Sequence, residues 1–375
     1  MAGFSFDKQR RLVIKVGSSL LIGVNGHVHR SWLAGLAEDV SMLQAAGHEI
    51  LIVSSGAIAI GSTVLGINQR RARLEDLQAA AAAGQVQLVH AYQDALSEHD
   101  IIAAQILLTP GDTEDRRRFL NARGTLARLL ERSVVPIINE NDTVATEEIR
   151  FGDNDRLAAR VAQLVMADAL ILLSDVDGLY SADPGRDDNA EHIPEVIRIT
   201  DDIAAVAGAT RSAIGSGGMA TKVQAARIAT RAGCATVVTY GAVDRPLSAL
   251  ASGSRCTVFR AEGSPAAARK QWLAGALEVR GELRLDDGAV RALREGNSLL
   301  PVGVMEVTGN FRRGDVVSVV GGNGVELGRG LAEYSSDDAK MIAGCQSDDI
   351  EARLGYRGRS VMLHRDELVL FDNDS

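Results

Sequence analysis

The chain has 375 residues, of which 46% are hydrophobic and 24% are charged. This length and balance are typical of two or three globular domains and argue against a disordered or fibrous protein. Lys and Arg total 40 against 49 Asp and Glu, and this net charge of −9 argues against a protein that mainly grips nucleic acid or anionic lipid.

Up to about residue 260, short apolar runs rich in Val, Ile and Leu alternate with longer segments of helical period. The predicted strands are Leu12–Val16, Glu49–Ser54, Ile101–Leu108, Val134–Asn139, Ala169–Ser174 and Ala235–Tyr240. The predicted helices are Trp32–Ala46, Leu74–Ser97, Phe119–Arg132, Arg156–Ala167 and Met219–Ala232. Continuously apolar strands alternating with helices predict an α/β fold, in which a mainly parallel sheet lies between two helical layers. Ligands of such sheets bind at the C-terminal ends of the strands.

The composition changes near residue 261, where a small and polar stretch predicts a linker over 261–280. The segment 281–375 then reads as a small β-rich domain, with 11 Lys and Arg against 17 Asp and Glu, a net charge of −6. Glycines separate its predicted strands, which are Val302–Val307, Asp315–Val320, Gly328–Leu331 and Ser360–His364.

The sequence also predicts a cytoplasmic protein. Its three cysteines, Cys234, Cys256 and Cys345, form no CxxC pair, as expected of thiols in a reducing compartment. No apolar run approaches the roughly 18 residues of a membrane span. Lys15 interrupts the first apolar stretch, which we therefore interpret as a strand and not as an export signal.

Small and polar residues follow the first two predicted strands. Lys15 lies inside the first strand, just before a glycine whose backbone can approach an anion. A lysine that only extends its ammonium to solvent is the equally simple interpretation. Ser54 and Ser55 precede the next helix, where their hydroxyls either bind an anion or cap the helix. Both strand ends are therefore candidate anion sites.

The fourth strand runs into the polar segment Asn139–Thr143, and Asp153-Asn154-Asp155 opens the next helix. One capping residue is enough to begin a helix, so three in a row favour a functional cluster over a plain loop. Asp142 can pair with the ammonium group of a ligand.

A glycine-rich segment, Gly215–Lys222, fits neither a dinucleotide fingerprint, because no strand precedes it, nor a Walker A loop. We interpret it as a loop whose backbone wraps phosphates and leads into a helix. Ser174 and Asp175 follow the fifth strand, where an aspartate suits a ribose or the water shell of a metal, or simply forms a turn.

Six segments, in this order, resemble motifs of the amino acid kinase family: VIKVGSS, VSSGAIAIG, Glu114–Arg123, PIINENDTVATEEIRFGDND, LLSDVDGLYSADP and GSGGMATK. Two later segments resemble a PUA domain: SLLPVGVMEVTGNFRRGD and AEYSSDDAKMIAG. The resemblance implies a catalytic amino acid kinase domain over 1–260 and a PUA-like domain over 281–375.

The resemblance implies an activity, the ATP-dependent phosphorylation of the γ-carboxylate of L-glutamate in the first step of proline synthesis. It also implies feedback inhibition by proline and assembly as a dimer or tetramer. A carboxylate is already ionised at neutral pH, so this reaction needs no general base. It needs in-line positioning and neutralisation of charge on the phosphoryl group.

The resemblance further implies roles for individual residues. Lys15 and Lys222 would neutralise the phosphoryl charge, Asp155 would orient both lysines, and Mg²⁺ would bridge the phosphates. The implied glutamate-binding residues are Ser55, Asp142 and Asn154. The implied ATP-binding residues are Lys15, Ser174, Asp175, Ser216, Gly217, Gly218, Met219, Ala220, Thr221 and Lys222.

Two alternatives stay open. The first is a neighbouring kinase of acetylglutamate or aspartate, although acetylglutamate has no ammonium for Asp142 to bind and aspartokinases usually carry regulatory domains of another type. The second is an RNA-binding protein that acts through 281–375. The net charge of −6 argues against the second, while Arg312-Arg313 is the local basic patch that would favour it.

Overall fold

The computed structural model describes residues 4–23, 25–144, 153–209, 218–274 and 278–371. The chain divides into two compact units, residues 1–265 and 266–375. The division lies inside the segment predicted as a linker, part of which is instead a helix, Pro265–Ala274. Proline is favourable at the first position of a helix and alanine within it, so the run after Pro265 folds locally.

The first unit is built on one extended sheet. In chain order its strands are β1 (Arg11–Val16), β2 (Glu49–Ser54), β3 (Ala103–Leu108), β4 (Val135–Glu140), β5 (Ala169–Ser174), β8 (Glu195–Val196), β9 (Ala235–Tyr240) and β10 (Cys256–Phe259); β6 (Leu179–Tyr180) and β7 (His192–Ile193) form a separate hairpin. The order across the sheet is β3-β4-β2-β1-β5-β9-β10-β8. Neighbouring strands are parallel except β9 and β10.

The helices described in the first unit are α1 (Ser18–Leu21), α2 (Arg30–Ala45), α3 (Ala57–Leu65), α4 (Leu74–Ser97), α5 (Pro110–Glu114), α6 (Arg116–Leu130), α7 (Asp153–Leu164), α8 (Asp201–Ala209), α9 (Met219–Arg231) and α10 (Pro246–Ala251). The helix at the division, Pro265–Ala274, is α11.

Alternation along the strands produces a hydrophobic core on each face of the sheet. In β1, Leu12, Ile14 and Val16 pack in one core with residues of α2 and α4. Val13 packs in the other core, with residues of α6, α7 and α9. Successive side chains of a strand point to opposite faces, so strands buried on both faces are continuously apolar. The predicted three-layer sandwich with a mainly parallel sheet is confirmed.

Glycines bring α3 and α4 into backbone contact. A Cβ atom on Gly84 would lie 1.8 Å from the carbonyl oxygen of Ala57, and one on Gly61 would lie 1.7 Å from that of Ala80. Gly56 leads from β2 into α3 with φ of +113°, a left-handed conformation that favours glycine. These glycines allow α4 to pack beside the ends of β2 and β4.

The second unit contains a smaller sheet and short helices. Its strands are β11 (Gly281–Leu285), β12 (Val304–Gly309), β13 (Val316–Val320), β14 (Glu326–Leu331) and β15 (Leu368–Leu370), in the order β12-β11-β13-β14-β15. Its helices after α11 are α12 (Asp287–Arg294), α13 (Ser336–Ile342) and α14 (Ile350–Leu354).

The predicted strand Ser360–His364 is wrong. In this segment Leu363 makes an isolated bridge to Leu299, and the backbone N–H of Glu333 donates to the carbonyl oxygen of Met362. The apolar side chains of Met362 and Leu363 are buried, so they fill the core from an irregular backbone. No helix among the residues described is long and apolar enough to cross a membrane.

Candidate active site

Three charged side chains meet at the C-terminal end of β1, and we call them the ion cluster. Lys15 shares a face of β1 with Val13, so it points to the side covered by α7 and α9. The Nζ atom of Lys15 lies 2.6 Å from Oδ1 of Asp155, and Nζ of Lys222 lies 3.4 Å from Oδ2. Asp155 comes from the first turn of α7 and Lys222 from the first turn of α9.

The ion cluster is buried and carries more positive than negative charge. Asp155 is 0% exposed, Lys15 7% and Lys222 5%. Burial alone would raise the pKa of Asp155, but the two ammonium groups outweigh it and hold that pKa below its ordinary value. Burial lowers the pKa of Lys222, and the attraction of Asp155 offsets this only in part. A buried cluster of two cations and one anion is suited to an incoming anion.

Residues at the start of α9 belong to the same region. The hydroxyl of Thr221 lies 2.8 Å from Oδ2 of Asp155 and 2.8 Å from the carbonyl oxygen of Gly218. One hydroxyl proton serves one of these acceptors at a time. Gly218 is the extended residue before α9, Met219 is buried and Ala220 is half-buried. Two further predicted ATP-binding residues, Ser216 and Gly217, lie outside the described residues.

The end of β5 brings Ser174 and Asp175 to this edge of the sheet. Ser174 is buried, and its hydroxyl donates to Oδ1 of Asp175 at 3.1 Å. Asp175 is exposed, and its charge counters the lowering of the pKa of Lys222. These two predicted residues are therefore close enough to the ion cluster to act on it electrostatically.

Three carboxamide side chains form a second cluster, which we call the amide chain: Gln85 of α4, Asn139 of β4 and Asn154 of α7. Nδ2 of Asn154 lies 3.0 Å from Oδ1 of Asn139, whose own Nδ2 donates to Oε1 of Gln85 at 2.8 Å. Nδ2 of Asn154 also lies 2.7 Å from the hydroxyl of Ser55 and 3.1 Å from the carbonyl oxygen of Ser54. The amide chain thus ties α4, β4 and α7 to the end of β2.

The amide chain lies largely on the face of the sheet opposite the ion cluster. The hydroxyl of Tyr92 in α4 donates to Oγ of Ser54 at 3.0 Å, and burial raises the pKa of Tyr92. Sequence reasoning missed Gln85 and Tyr92. Gln85 lies on the buried stripe that continues through Leu88 and Tyr92, and a polar residue on that stripe, directly after Gly84, is the signal that points to it.

Asp142 lies just past β4 at the start of a short 3-10 turn, Asp142–Val144, that packs against α4. It is half-buried and shares the strand-end edge with Asn139. The segment 145–152 of the same motif lies outside the described residues.

Comparison with known proteins identifies the family. The model of the amino acid kinase family matches residues 10–240, and the model of the PUA domain matches 281–354. A glutamate 5-kinase of Rhizobium rhizogenes is 53% identical over 98% of this chain and 94% of its own length. One of Paramagnetospirillum magneticum is 55% identical over 96% of this chain and 98% of its own. The chain therefore belongs to the amino acid kinase family and, within it, to the glutamate 5-kinases that carry a PUA domain.

Among solved structures, a carbamate kinase from Giardia lamblia bound to AMP-PNP matches with a TM-score of 0.48 and 18% identity, over 68% of this chain and 100% of its own.

Proposed function

We propose that this chain transfers the γ-phosphoryl group of ATP to the γ-carboxylate of L-glutamate, giving L-glutamyl 5-phosphate and ADP in the first step of proline biosynthesis. The observation that carries the chemistry is the pairing of Lys15 and Lys222 with one buried carboxylate, Asp155, at 2.6 and 3.4 Å. Relatives of 53–55% identity that bear the name glutamate 5-kinase support the substrate.

The reaction is a displacement at phosphorus. A γ-carboxylate oxygen of glutamate forms a bond to the γ-phosphorus of ATP, while the bond from that phosphorus to the β–γ bridging oxygen breaks and its electron pair leaves with ADP. The attacking carboxylate is ionised at neutral pH, so no proton has to be removed. The barrier is mainly one of positioning and of repulsion between negative charges.

The ion cluster is suited to lowering that barrier. Its net positive charge lies in a water-poor position, where an electrostatic interaction is stronger than in bulk water. Lys15 and Lys222 donate hydrogen bonds to the oxygens of the transferring phosphoryl group. Asp155, whose pKa is held low, stays ionised and fixes the separation of the two ammonium groups.

We assign glutamate binding to Ser55, Asp142 and Asn154, and ATP binding to Ser174, Asp175 and the segment 216–222 together with Lys15. The 2.7 Å contact between Asn154 and the hydroxyl of Ser55 supports the first assignment. The proximity of Asp175 and of the start of α9 to the ion cluster supports the second.

Mg²⁺ is proposed as a partner of the ATP phosphates, whose oxygens it prefers and whose charge it neutralises. Within the described part of the chain, no group of three His, Cys, Asp or Glu could hold a metal ion. The exposed carboxylate of Asp175 is suited to the water shell of a nucleotide-bound ion.

Three further features are proposed from the resemblance of the motifs: feedback inhibition by proline, assembly as a homodimer or homotetramer, and a cytoplasmic location. Proline added to the assay below tests the first, and sedimentation velocity of the purified protein tests the second. Fractionation of the source cells tests the third.

The proposed function is tested by a coupled assay of ADP release with glutamate, aspartate and N-acetylglutamate. Glutamate is expected to turn over, and N-acetylglutamate to be about 30-fold or more poorer in kcat/KM, because it offers no ammonium for Asp142 to bind. Equal turnover of N-acetylglutamate would contradict the assignment of Asp142. The RNA-binding alternative predicts tRNA retention on filters that weakens steeply as salt rises, without ADP release.

A further inference from the structure

We propose that Gln85 is a positioning residue of the glutamate site. Acting through Asn139, it fixes the orientation of the Asn154 carboxamide, so that Oδ1 of Asn154 accepts a hydrogen bond from the α-ammonium of the substrate. This role rests on the proposed function and deepens it, because it names the group that recognises the amino-acid end of glutamate.

A backbone carbonyl sets the direction of the amide chain. The carbonyl oxygen of Ser54 can only accept a hydrogen bond, so the Asn154 atom 3.1 Å from it is the nitrogen Nδ2. That nitrogen also faces Asn139 at 3.0 Å, so the facing atom of Asn139 is its oxygen. The nitrogen of Asn139 then faces Gln85, whose oxygen accepts at 2.8 Å. These contacts leave one assignment of nitrogen and oxygen for each carboxamide.

The hydrogen-bonding capacity of Asn154 decides what it offers a ligand. Its Nδ2 has two hydrogens and three acceptors within 3.1 Å, in Ser54, Ser55 and Asn139, so this nitrogen is fully used. Its Oδ1 is buried and has no hydrogen-bond partner in the described part of the chain. A buried carbonyl oxygen without a partner is unfavourable, and a ligand with a donor group relieves it. In glutamate at neutral pH the α-ammonium is the donor group.

Gln85 holds the far end of the amide chain. It is 8% exposed, and Oε1 is the atom that receives the hydrogen bond from Asn139. If that oxygen is removed, Nδ2 of Asn139 loses its acceptor, and the Asn139 carboxamide is held less firmly. Its oxygen then fixes the nitrogen of Asn154 less firmly, so Oδ1 of Asn154 is aimed less well at the ligand ammonium. The effect reaches the substrate without any contact from Gln85.

The test compares glutamate with glutarate, which is the same dicarboxylate without the amino group, measured as a competitor of glutamate. Gln85→Met keeps the length of the side chain and removes the oxygen. It is expected to weaken the binding of glutamate about tenfold, because a hydrogen bond to a charged group is lost. The binding of glutarate and the KM for ATP are expected to change by no more than about twofold. Gln87→Met, on the exposed side of the same helix, is the matched control and is expected to change none of these three quantities.

Two more variants ensure that the test does not depend on whether Gln85→Met folds. The melting temperature of each variant is recorded. Gln85→Ala also removes the oxygen and is expected to lower the preference for glutamate over glutarate. Gln85→Glu retains an oxygen for Asn139 and is expected to keep that preference at or above the wild-type value.

The positioning role would be overturned if Gln85→Met weakened the binding of glutamate and of glutarate equally, or if it raised the KM for ATP in parallel. It would also be overturned by a loss of preference in Gln85→Glu as large as in Gln85→Met. If the wild-type protein fails to release ADP with glutamate, the proposed function fails and this role with it. Normal wild-type turnover with an unchanged preference in Gln85→Met overturns this role alone.

Discussion

The ion cluster and the amide chain meet at one edge of the sheet, yet they are built from different interactions. In the ion cluster, two ammonium groups share the carboxylate of Asp155 at 2.6 and 3.4 Å, and their attraction depends mainly on distance. In the amide chain, every link is a neutral hydrogen bond, and its strength depends on which atom faces which. The difference fits the roles proposed above, in which the charges of the ion cluster act on the phosphoryl group and the directed hydrogen bonds of the amide chain act on recognition of the amino acid.

The two clusters also differ in the expected cost of removing one of their residues. Removing Asp155 would take away the carboxylate that two buried ammonium groups share, which is costlier than the weakening of a neutral hydrogen bond. Removing Gln85 would leave Nδ2 of Asn139 without its acceptor, while Oδ1 of Asn139 keeps its contact with Asn154. Substitutions in the ion cluster are therefore expected to cost more than substitutions around the amide chain.

The largest effect on stability is expected for Asp155→Asn. The free energy of unfolding should fall by about 3–5 kcal/mol at pH 7, because the variant removes the buried negative charge that Lys15 and Lys222 share. Urea denaturation provides the measurement. Asp94→Asn removes an exposed partner of Arg30 at 3.3 Å and serves as the control, with an expected cost below about 1 kcal/mol.

The pH dependence of the Asp155→Asn effect follows from the direction of the pKa shift. The pKa of Asp155 is lower in the folded protein than its ordinary value, so the unfolded chain binds the proton more tightly. The stabilisation is present above the unfolded-state pKa of about 3.9 and is lost as pH falls through the folded-state pKa. The stability difference between wild type and variant should be constant between about pH 7 and 5 and shrink below about pH 4. A difference that did not shrink in acid would mean that Asp155 is not ionised in the folded protein.

A fall in kcat of about a hundredfold or more is expected for Lys15→Met and for Lys222→Met, with smaller changes in the KM for glutamate. Methionine keeps much of the aliphatic stem and removes the charge that we propose stabilises the transition state. Lys15→Arg should not restore turnover, because a broad guanidinium differs from a compact ammonium in a tight site. The exposed Lys8 supplies the control, Lys8→Met. Turnover within a few-fold of wild type would instead show that the two lysines only balance the buried charge of Asp155.

A smaller effect is expected for Gly84→Ala, which disturbs the helix that carries the amide chain. The added Cβ would lie 1.8 Å from the carbonyl oxygen of Ala57, so α3 and α4 must separate. We expect a loss of about 1–3 kcal/mol in the free energy of unfolding and a raised KM for glutamate, because Gln85 is the next residue. Gly208→Ala in α8, where the added Cβ meets nothing within 4 Å, should cause no loss. Equal effects of the two substitutions would show that the α3–α4 contact does not matter.

The two clusters also differ in how far the sequence could predict them. Lys15 lies in a predicted strand, Asp155 and Lys222 lie where predicted helices begin, and the resemblance of their motifs to those of the amino acid kinase family implied their roles. Gln85 lies in the middle of α4, and its importance depends on how closely α4 packs, which Gly84 controls through a contact with Ala57. That packing is tertiary information, so a polar residue on the buried stripe of α4 marks Gln85 as unusual without showing which residues it contacts.

The same contrast holds for the fold. The buried parallel strands were predictable because burial on both faces makes them continuously apolar. In the second unit, Met362 and Leu363 fill the core from an irregular backbone, while Leu368–Leu370 forms the last strand. Burial alone does not distinguish these two cases in so short a segment.

The most direct test of separate roles for the ion cluster and the amide chain measures kcat and the KM for glutamate side by side. The two variants are Lys222→Met and Gln85→Met, in the same ADP-release assay. Lys222→Met is expected to lower kcat about a hundredfold with little change in KM, and Gln85→Met to raise KM about tenfold with kcat within about threefold. The same pattern in both variants, whether in kcat or in KM, would contradict separate roles for the ion cluster and the amide chain.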